Sequence, residues 1–247
     1  MILQRLSKSI RQQDWFAVFI EFVIVVAGIF AGLQANEWAQ ERQDREEERA
    51  ALERLFLEAE SAHQLLARNV KRAQQMNQLR RNAVQFADSD LPLPENELPF
   101  KIGINTLAIF PTAMPVSVAY DELKSSGQMQ LIRSAEIRSQ IAEFHTDLEF
   151  FNQRQLGFGD GSYRFIDHYQ RHVTWDYNPE ATTSDILLST YNWDTLRSDE
   201  SFILRIIGLL RNQLVAEQGL IGLRDQAKSL CETLGDIVGR ACGEVER

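Results

Sequence analysis

The sequence predicts an all-α protein, in which one membrane-spanning helix continues into a long helix and an antiparallel helical bundle ends with a long C-terminal helix. Three observations support this prediction. Residues 15–38 are apolar, residues 39–87 contain no glycine or proline, and residues 199–240 place apolar side chains at heptad spacing. A content of 44% hydrophobic and 25% charged residues is ordinary for a folded chain of 247 residues. No segment of any length shows the alternation expected of a strand.

The membrane-spanning helix is predicted at residues 15–38, WFAVFIEFVIVVAGIFAGLQANEW. At a rise of 1.5 Å per residue this stretch is roughly 35 Å long, enough to cross a hydrocarbon core of about 30 Å. Trp15 and Trp38 stand at its two ends. Tryptophan is enriched at both membrane interfaces, so the two residues suit the ends of a membrane span.

Charge on either side of the apolar stretch predicts its orientation. Arg5, Lys8 and Arg11 precede the stretch, whereas residues 37–49 contain six acidic residues and three arginines. Because short basic flanks stay in the cytoplasm, we predict a cytoplasmic tail at 1–14 and a periplasmic domain at 39–247, anchored in a bacterial inner membrane. A net charge of −9 argues against nucleic acid as a partner.

A cleaved signal peptide is the competing interpretation of this N-terminus. Such a peptide has an apolar core of about 7–15 residues followed by a small-x-small cleavage site. Here the apolar run is longer and contains Glu21, and Leu33-Gln34-Ala35 is a poor cleavage site. These differences favour a retained anchor.

Two long helices are predicted at 39–87 and 199–240, with short helices and loops at 88–198 between them. Alternating spacings of three and four are the signature of helices that pack lengthwise against each other. The first seam consists of Leu52, Leu55, Ala59, Ala62, Leu66, Asn69, Ala73, Met76, Arg80, Ala83 and Ala87. The second consists of Phe202, Ile206, Leu209, Gln213, Ala216, Leu220, Leu223, Ala227, Leu230, Leu234 and Ile237. Asn69 and Arg80 interrupt the first seam with polar groups.

The middle of the chain is divided by proline and glycine. Three prolines at 88–100 end the first long helix, and Gly127 is predicted to cap a short helix at 116–126. Ser134 is predicted to cap a helix at about 135–155. Residues 157–161, GFGDG, predict a flexible turn followed by a short helix to about His172, and residues 173–198 predict a loop.

One side of the predicted membrane helix combines an acid with small residues. Glu21, Gly28, Gly32 and Ala35 lie within about 40° of one line along the helix. A small-x3-small pattern lets two helix backbones approach closely in lipid, and a membrane-embedded acid is stabilised by a hydrogen-bonding partner. We therefore predict an interaction face at Glu21, Gly28, Gly32 and Ala35. The alternative is that the small residues are ordinary and Glu21 lies at the headgroup boundary.

Cys231 and Cys242 are the two cysteines of the chain. On one straight helix they would be about 16 Å apart, beyond the reach of a disulfide. Gly235, Gly239 and Gly243 could break the helix and bring the chain back. The sequence leaves a disulfide and two free thiols equally open.

His168 and His172 have the i, i+4 spacing that places two imidazoles on one helix face. A zinc site needs further ligands, and no HExxH motif accompanies the pair. We therefore interpret them as two surface histidines on a short helix, and we predict no metal and no cofactor.

The segment from Tyr120 to Gly127 has two interpretations. Tyr120, Asp121 and Lys124 could supply polar contacts to a ligand. A short helix that packs on the bundle and is stopped by its glycine explains the same residue types, and we favour it.

The chain resembles an uncharacterised family of bacterial single-pass inner-membrane proteins. The first part of the resemblance is the anchor, with Glu21, Gly28-Ile29, Gly32, Gln34 and Asn36-x-Trp38. The second is AYDELKSSG at 119–127, continuing through Leu131-Ile132 into the helix at Ile137-Arg138. The C-terminal third is similar only as a long helix. The resemblance implies a topology and an architecture, and it implies no catalytic residues.

These observations lead to an expected function without an enzymatic reaction. We expect a membrane-anchored structural or interaction protein that associates with the lipid bilayer and acts as a homo-oligomer or as an accessory subunit with other inner-membrane proteins. The alternative is a periplasmic ligand-sensing bundle, which would signal through a partner because only residues 1–14 would lie in the cytoplasm. An enzyme ranks third, supported only by the two histidines.

Overall fold

The computed structural model describes residues 15–175 and 189–243, and it confirms the all-α fold. Two compact units make up the chain, Met1–Ala50 and Ala51–Arg247. The predicted tail at 1–14 and residues 176–188 of the predicted loop lie outside the described residues. The helices are α1 (Trp15–Ala87), α2 (Leu98–Asn105), α3 (Val118–Ser125), α4 (Ala135–Tyr169), α5 (Trp193–Ser198) and α6 (Glu200–Val238).

The first unit contains the N-terminal part of α1. By length and composition, α1 is a helix that could span a membrane, as the apolar stretch predicts. Its apolar side chains are exposed within the described chain, with exposures of 65% for Phe22, 65% for Phe30 and 71% for Trp38. Large exposed apolar surfaces of this kind mark sites of contact with a membrane or with another protein.

In the second unit, α6 lies antiparallel to the 51–87 part of α1. Near one end of the pair, a Cβ built on Gly235 of α6 would lie 3.2 Å from the ring of Phe56 in α1. Near the other end, Asn77 Nδ2 donates to Glu217 Oε2 at 2.7 Å and to the carbonyl oxygen of Gln213 at 3.3 Å. Residue numbers therefore increase along α1 in the direction in which they decrease along α6, as expected of an antiparallel pair.

Helix α4 lies antiparallel to α6 as well. Gln226 Nε2 of α6 donates to Asp147 Oδ2 at 2.7 Å. One turn further along α4, a Cβ built on Gly219 would lie only 2.9 Å from the ring of Phe151. Only a glycine permits the two helices to approach this closely here. The core is consequently a three-helix bundle of α1, α4 and α6.

The heptad seams predicted from the sequence lie in this core. Every position of the second seam is buried except Ile237, which is 48% exposed. In α1 a second buried stripe, one residue beyond the predicted seam, repeats every seven residues because this helix packs against more than one neighbour. Its members are Phe56, His63, Val70, Asn77 and Val84.

The predicted turn at 157–161 is wrong, because α4 continues as one helix from Ala135 to Tyr169. Glycine lowers helix stability by about 1 kcal/mol relative to alanine, but tertiary packing overrides such preferences. Ser162 and Phe165 are buried, and the Phe158 ring packs on Phe110 at a centroid distance of 5.4 Å. These contacts stabilise the helical conformation of the segment that contains Gly157, Gly159 and Gly161.

The prediction of a loop at 173–198 is wrong for the described parts of that segment. β1 (Val173–Trp175) pairs antiparallel with β2 (Ser189–Tyr191), with Val173 opposite Tyr191. Both of these residues are buried, and α5 follows directly. The strands are too short to show a period in the sequence, which explains why the pattern missed them.

The predicted helix caps are confirmed. The hydroxyl oxygen of Ser134 accepts the backbone N–H of Ile137 at 3.3 Å at the start of α4. Gly127 follows Ser126, the last cap residue of α3, and has φ 72°, a left-handed conformation in which glycine carries no steric penalty. A further cap, which was not predicted, lies at the start of α6, where Asp199 Oδ1 accepts the backbone N–H of Phe202 at 3.0 Å.

Candidate functional site

The anchor residues Glu21, Gly28, Gly32 and Ala35 are all exposed in the first unit. A Cβ added at Gly28 or Gly32 would meet nothing within 4 Å in the described chain. The small-residue side of α1 is therefore open for close approach by another helix. The assignment of this side as an interaction face stays a prediction.

Cys231 and Cys242 are joined by a disulfide, with their Cα atoms 5.7 Å apart. The helix break that the sequence left open is present, since α6 ends at Val238 and Gly239 has φ 75°. The backbone N–H of Arg240 then donates to the carbonyl oxygen of Gly235 at 2.9 Å, which turns the chain back along the helix. Burial of Cys231 against the bundle core ties this C-terminal turn to α1 and α6.

The pair His168 and His172 does not share a helix face, because α4 ends at Tyr169. His172 is buried, so its interpretation as a surface residue is wrong. Its Nε2 lies 3.0 Å from Asp199 Oδ2, and its Nδ1 lies 3.3 Å from Thr195 Oγ1. The imidazole therefore connects the chain before β1 to α5 and to the start of α6. Among the residues that the structure describes, no group of three or more histidine, cysteine, aspartate or glutamate side chains is placed to hold a metal ion.

Thr195, His172 and Asp199 are arranged like the nucleophile, base and orienting acid of a catalytic triad. Their hydrogen bonds, however, stabilise the fold. Thr195 Oγ1 donates to the carbonyl oxygen of Asn192 at 3.1 Å, so its proton already has an acceptor. Hydrogen bonds from Ser201, His172 and the backbone of Phe202 hold the pKa of Asp199 below its usual range. Asp199 thus stays ionised as a helix cap, and the cluster gives no support for catalysis.

The segment that begins at Tyr120 forms α3 and is attached to α1. Glu58 of α1 accepts the backbone N–H groups of Ala119 at 2.6 Å and Tyr120 at 3.3 Å. The Tyr120 ring stacks on the His145 imidazole, with centroids 3.5 Å apart and an interplanar angle of 4°. Burial lowers the pKa of His145 to about 4, while Asp121 opposes this shift. These contacts are those of a short helix packed on the bundle. A cleft of about 350 Å³ lies beside Tyr120, Asp121 and Lys124.

A larger cavity, of about 590 Å³, lies between α4 and the chain that follows α2. Its size falls within the range of about 300–1,000 Å³ that is usual for small-molecule sites. Most of its surface is apolar, although several of the residues that line it are polar. The residues that define it include Ala108, Phe110, Leu156 and Phe165, with Asn105, Gln155 and Tyr169 among the polar members.

Gln155 is the unusual member of this lining. It is 2% exposed, and neither Oε1 nor Nε2 has a hydrogen-bond partner among the described residues. An unpaired buried polar group costs about 1–3 kcal/mol of stability. A signal for Gln155 existed in the sequence, because it follows Phe151 by four residues on the buried stripe of α4. The sequence interpretation nevertheless did not select it.

Asn105, another residue of this lining, also carries an unpaired buried group. The Tyr191 hydroxyl donates to Asn105 Oδ1 at 2.6 Å and lies 2.5 Å from the Tyr169 hydroxyl. Burial raises the pKa of Tyr169 to about 12 and raises the pKa of Tyr191 further, so both hydroxyls stay protonated at neutral pH. The hydrogen bond from Tyr191 occupies the side-chain oxygen of Asn105, whereas Asn105 Nδ2 has no partner among the described residues.

The fold and the anchor define the class of this protein, an all-α protein with an N-terminal helix that could span a membrane. No family model, curated protein or solved structure matches the chain. The resemblance to bacterial single-pass inner-membrane proteins therefore stays a prediction that rests on the anchor and on residues 119–127.

Proposed function

We propose that this protein is a non-enzymatic, membrane-anchored structural or interaction protein that acts as a homo-oligomer or as an accessory subunit of an inner-membrane complex. The observation that supports this function most strongly is the open side of the anchor. Glu21, Gly28 and Gly32 share that side, and a Cβ at either glycine would meet nothing within 4 Å in the described chain.

The energetics of Glu21 favour a partner helix over lipid. An acid near the centre of a membrane helix costs about 2.5–3.5 kcal/mol on insertion scales, and less near the interface. A hydrogen bond from a neighbouring helix would offset part of this cost. Gly28 and Gly32 lie on the same side of α1, so a helix packed on them would approach closely enough to reach Glu21.

The proposed location is a bacterial inner membrane, with residues 1–14 in the cytoplasm and 39–247 in the periplasm. The basic residues before the anchor support this orientation. The Cys231–Cys242 disulfide supports it independently, because disulfides persist in the periplasm and are rare in the cytosol.

Native gel electrophoresis of the full chain, extracted in mild detergent, tests the proposal. We expect the wild type to migrate above the monomer and Gly28→Leu/Gly32→Leu to shift toward the monomer, because leucine keeps the backbones apart. Ala27→Leu is the matched control, since Ala27 lies roughly 100° around the helix from Gly28. Migration of both wild type and double variant as monomers would refute the proposal.

A second candidate function is a periplasmic ligand-sensing bundle that signals through a partner membrane protein. The cavity of about 590 Å³ between α4 and the chain after α2 is the observation that favours it. Sensing predicts that a small molecule raises the melting temperature of the full chain. A pure scaffold predicts that no molecule in such a screen does so.

A further inference from the structure

We propose that a cavity of about 320 Å³ between α1 and the chain after α2, the α1 cavity, binds a small organic anion with an apolar body the size of a single ring. The inference goes beyond the proposed function, because it concerns neither the anchor nor the larger cavity against α4. The α1 cavity lies wholly in the second unit, Ala51–Arg247.

The two polar interruptions of the α1 seam, Asn69 and Arg80, both line the α1 cavity. They are three turns apart and therefore lie on one side of the helix, together with Ala73 and Met76. A seam that only packs against other helices carries apolar residues at such positions. The polar residues thus mark the side of α1 that borders the cavity.

The charge of the lining is positive. Arg72 and Arg80 are its charged residues, and no aspartate or glutamate accompanies them in the described lining. The surrounding sequence has the same bias, although the whole chain has a net charge of −9. Residues 61–87 contain no acidic residue and five basic ones, which are Arg68, Lys71, Arg72, Arg80 and Arg81. The α1 cavity therefore attracts an anion and repels a cation.

Arg80 contributes a buried charge that no described carboxylate neutralises. All of its hydrogen bonds go to neutral acceptors, including Asn77 Oδ1 at 2.7 Å from Nη1 and the carbonyl oxygen of Thr106 at 2.8 Å from Nη2. The carboxylate of Glu217 accepts from Asn77 rather than from Arg80. Burial lowers the pKa of Arg80 to about 10, which leaves the guanidinium charged at neutral pH. An anion in the cavity would compensate this charge.

Arg72 and Asn69 are the groups that can contact the anion directly. The Arg72 side chain is exposed, and no described residue pairs with it. Asn69, one turn earlier, is half-buried, and its amide has no described partner but keeps access to solvent. A guanidinium presents two parallel N–H groups to a carboxylate, and the Asn69 amide can donate to the same group.

The rest of the lining specifies the body of the ligand. Ala73 and Met76 of α1 lie beside the two polar groups, and Ile109 and Pro111 come from the chain after α2. An apolar group placed over these side chains is removed from water, which favours binding. The volume of about 320 Å³ is at the lower end of the usual range for ligand sites, so a molecule with one ring fits it.

The experiment uses the full chain in phosphatidylcholine nanodiscs, with 4-(trifluoromethyl)benzoate as the probe and 4-(trifluoromethyl)benzamide as its neutral counterpart. Fluorine NMR titrations measure the affinity of each, and empty nanodiscs give the background from lipid. We expect the benzoate to bind the wild type with a Kd of about 1 mM or lower, as is usual for a ligand of this size. The benzamide should bind at least tenfold more weakly.

Arg72→Gln should weaken the benzoate about tenfold, because it removes the charged donor and keeps a polar side chain. Arg81→Gln is the matched control and should leave the affinity unchanged, since Arg81 is exposed and lies about 180° around α1 from Arg72. Thr112→Glu is a second variant, which adds an acid to the lining at an exposed position. It should also weaken the benzoate without unfolding the protein.

Absence of benzoate binding to the wild type, or equal affinity for the two probes, would overturn the inference. An equal loss in Arg72→Gln and Arg81→Gln would do the same, because it would show a general attraction of anions to basic residues. The Gly28→Leu/Gly32→Leu variant should bind the benzoate like the wild type. This comparison separates a failure of the inference from a failure of anchor association.

Discussion

Arg80 Nη1 of α1 donates a hydrogen bond to Gln213 Oε1 of α6 at 2.8 Å, so polar positions of the two heptad seams meet each other. Both side chains are buried. Arg80 Nη2 donates to the carbonyl oxygen of Thr106 at 2.8 Å, and Gln213 Nε2 donates to that of Leu107 at 2.7 Å. The pair thus fixes the register of two helices and also holds the chain that borders the cavity.

Arg80→Met should destabilise the protein by at least about 2 kcal/mol, because it leaves several buried acceptors unpaired. Burial lowers the pKa of Arg80 to about 10, so the guanidinium is charged at neutral pH and its hydrogen bonds are charge-assisted. Chemical denaturation of the full chain in detergent measures the change. Arg81→Met, an exposed neighbour, is the control and should change stability by less than about 0.5 kcal/mol.

Combining Arg80→Met with Gln213→Met measures the coupling of the pair. Residues that share a buried hydrogen-bond network show interaction energies of about 0.5–3 kcal/mol in double-mutant cycles. We expect the double variant to lose less than the sum of the single variants. Strict additivity would show that the two seams are not joined by this bond.

Gly157→Ala should stabilise the protein by up to about 1 kcal/mol, because Gly157 lies inside α4 and a Cβ there meets nothing within 4 Å. Gly103→Ala is the opposite case. Its Cβ would lie 2.5 Å from the carbonyl oxygen of Leu79, and overpacking of this kind costs about 1–3 kcal/mol. Thermal unfolding of both variants distinguishes a continuous α4 from a turn at 157–161, for which Gly157→Ala would be destabilising.

Stability should fall as the pH is lowered from about 6.5 to about 4, in part because of His145. Burial lowers the pKa of His145 to about 4, whereas a histidine in the unfolded chain has a pKa of about 6.5. In this window the unfolded state binds the proton and the folded state does not, so the contribution is complete above pH 6.5 and is lost as the pH falls through 4.

His145→Phe keeps an aromatic ring beside Tyr120 and removes the titration. Denaturation at pH 7, 5.5 and 4 should therefore show a shallower loss of stability in this variant than in the wild type. The difference in slope is limited to about 1.4 kcal/mol per pH unit, the value for one proton. Parallel pH profiles would contradict a buried neutral His145.

Removing the disulfide should cost about 2–4 kcal/mol, since the cross-link restricts the unfolded chain. Cys231→Ala/Cys242→Ala should unfold at a lower temperature than the oxidised wild type. A reducing agent should lower the melting temperature of the wild type and leave the double variant unchanged. Two reactive thiols in the purified wild-type protein after denaturation would show that the bond does not form.

Local pattern predicted the long helices well, because their seams repeat over many turns. Leu52 to Ala87 and Phe202 to Leu234 supply enough turns for the 3.5-residue spacing to stand out. The pattern failed at GFGDG, where the local preference for a turn lost to the burial of Phe165 and Ser162. It failed again at Val173 and Tyr191, whose strands are three residues long.

The candidate sites also differ in how far the sequence alone could predict them. Glu21, Gly28, Gly32 and Ala35 share one side of a single helix, so helical geometry alone groups them. Gln155 and Asn105 are 50 positions apart in the sequence, and no local period brings them to one cavity. His172 was interpreted as exposed because its burial depends on Asp199 and Thr195, which belong to later elements.

The sequence by itself determined the helical class, a helix long and apolar enough to span a membrane, and most of the bundle core, because these depend on composition and on spacing along one helix. The tertiary structure decided the pairing of Arg80 with Gln213, the cavity beside Gln155 and the closure of Cys231 on Cys242. The first two depend on which distant surfaces come into contact, and the energy of such contacts exceeds the local preferences that a sequence pattern records. The disulfide depends on the helix ending at Val238 and turning back at Gly239, which the spacing of the two cysteines does not specify.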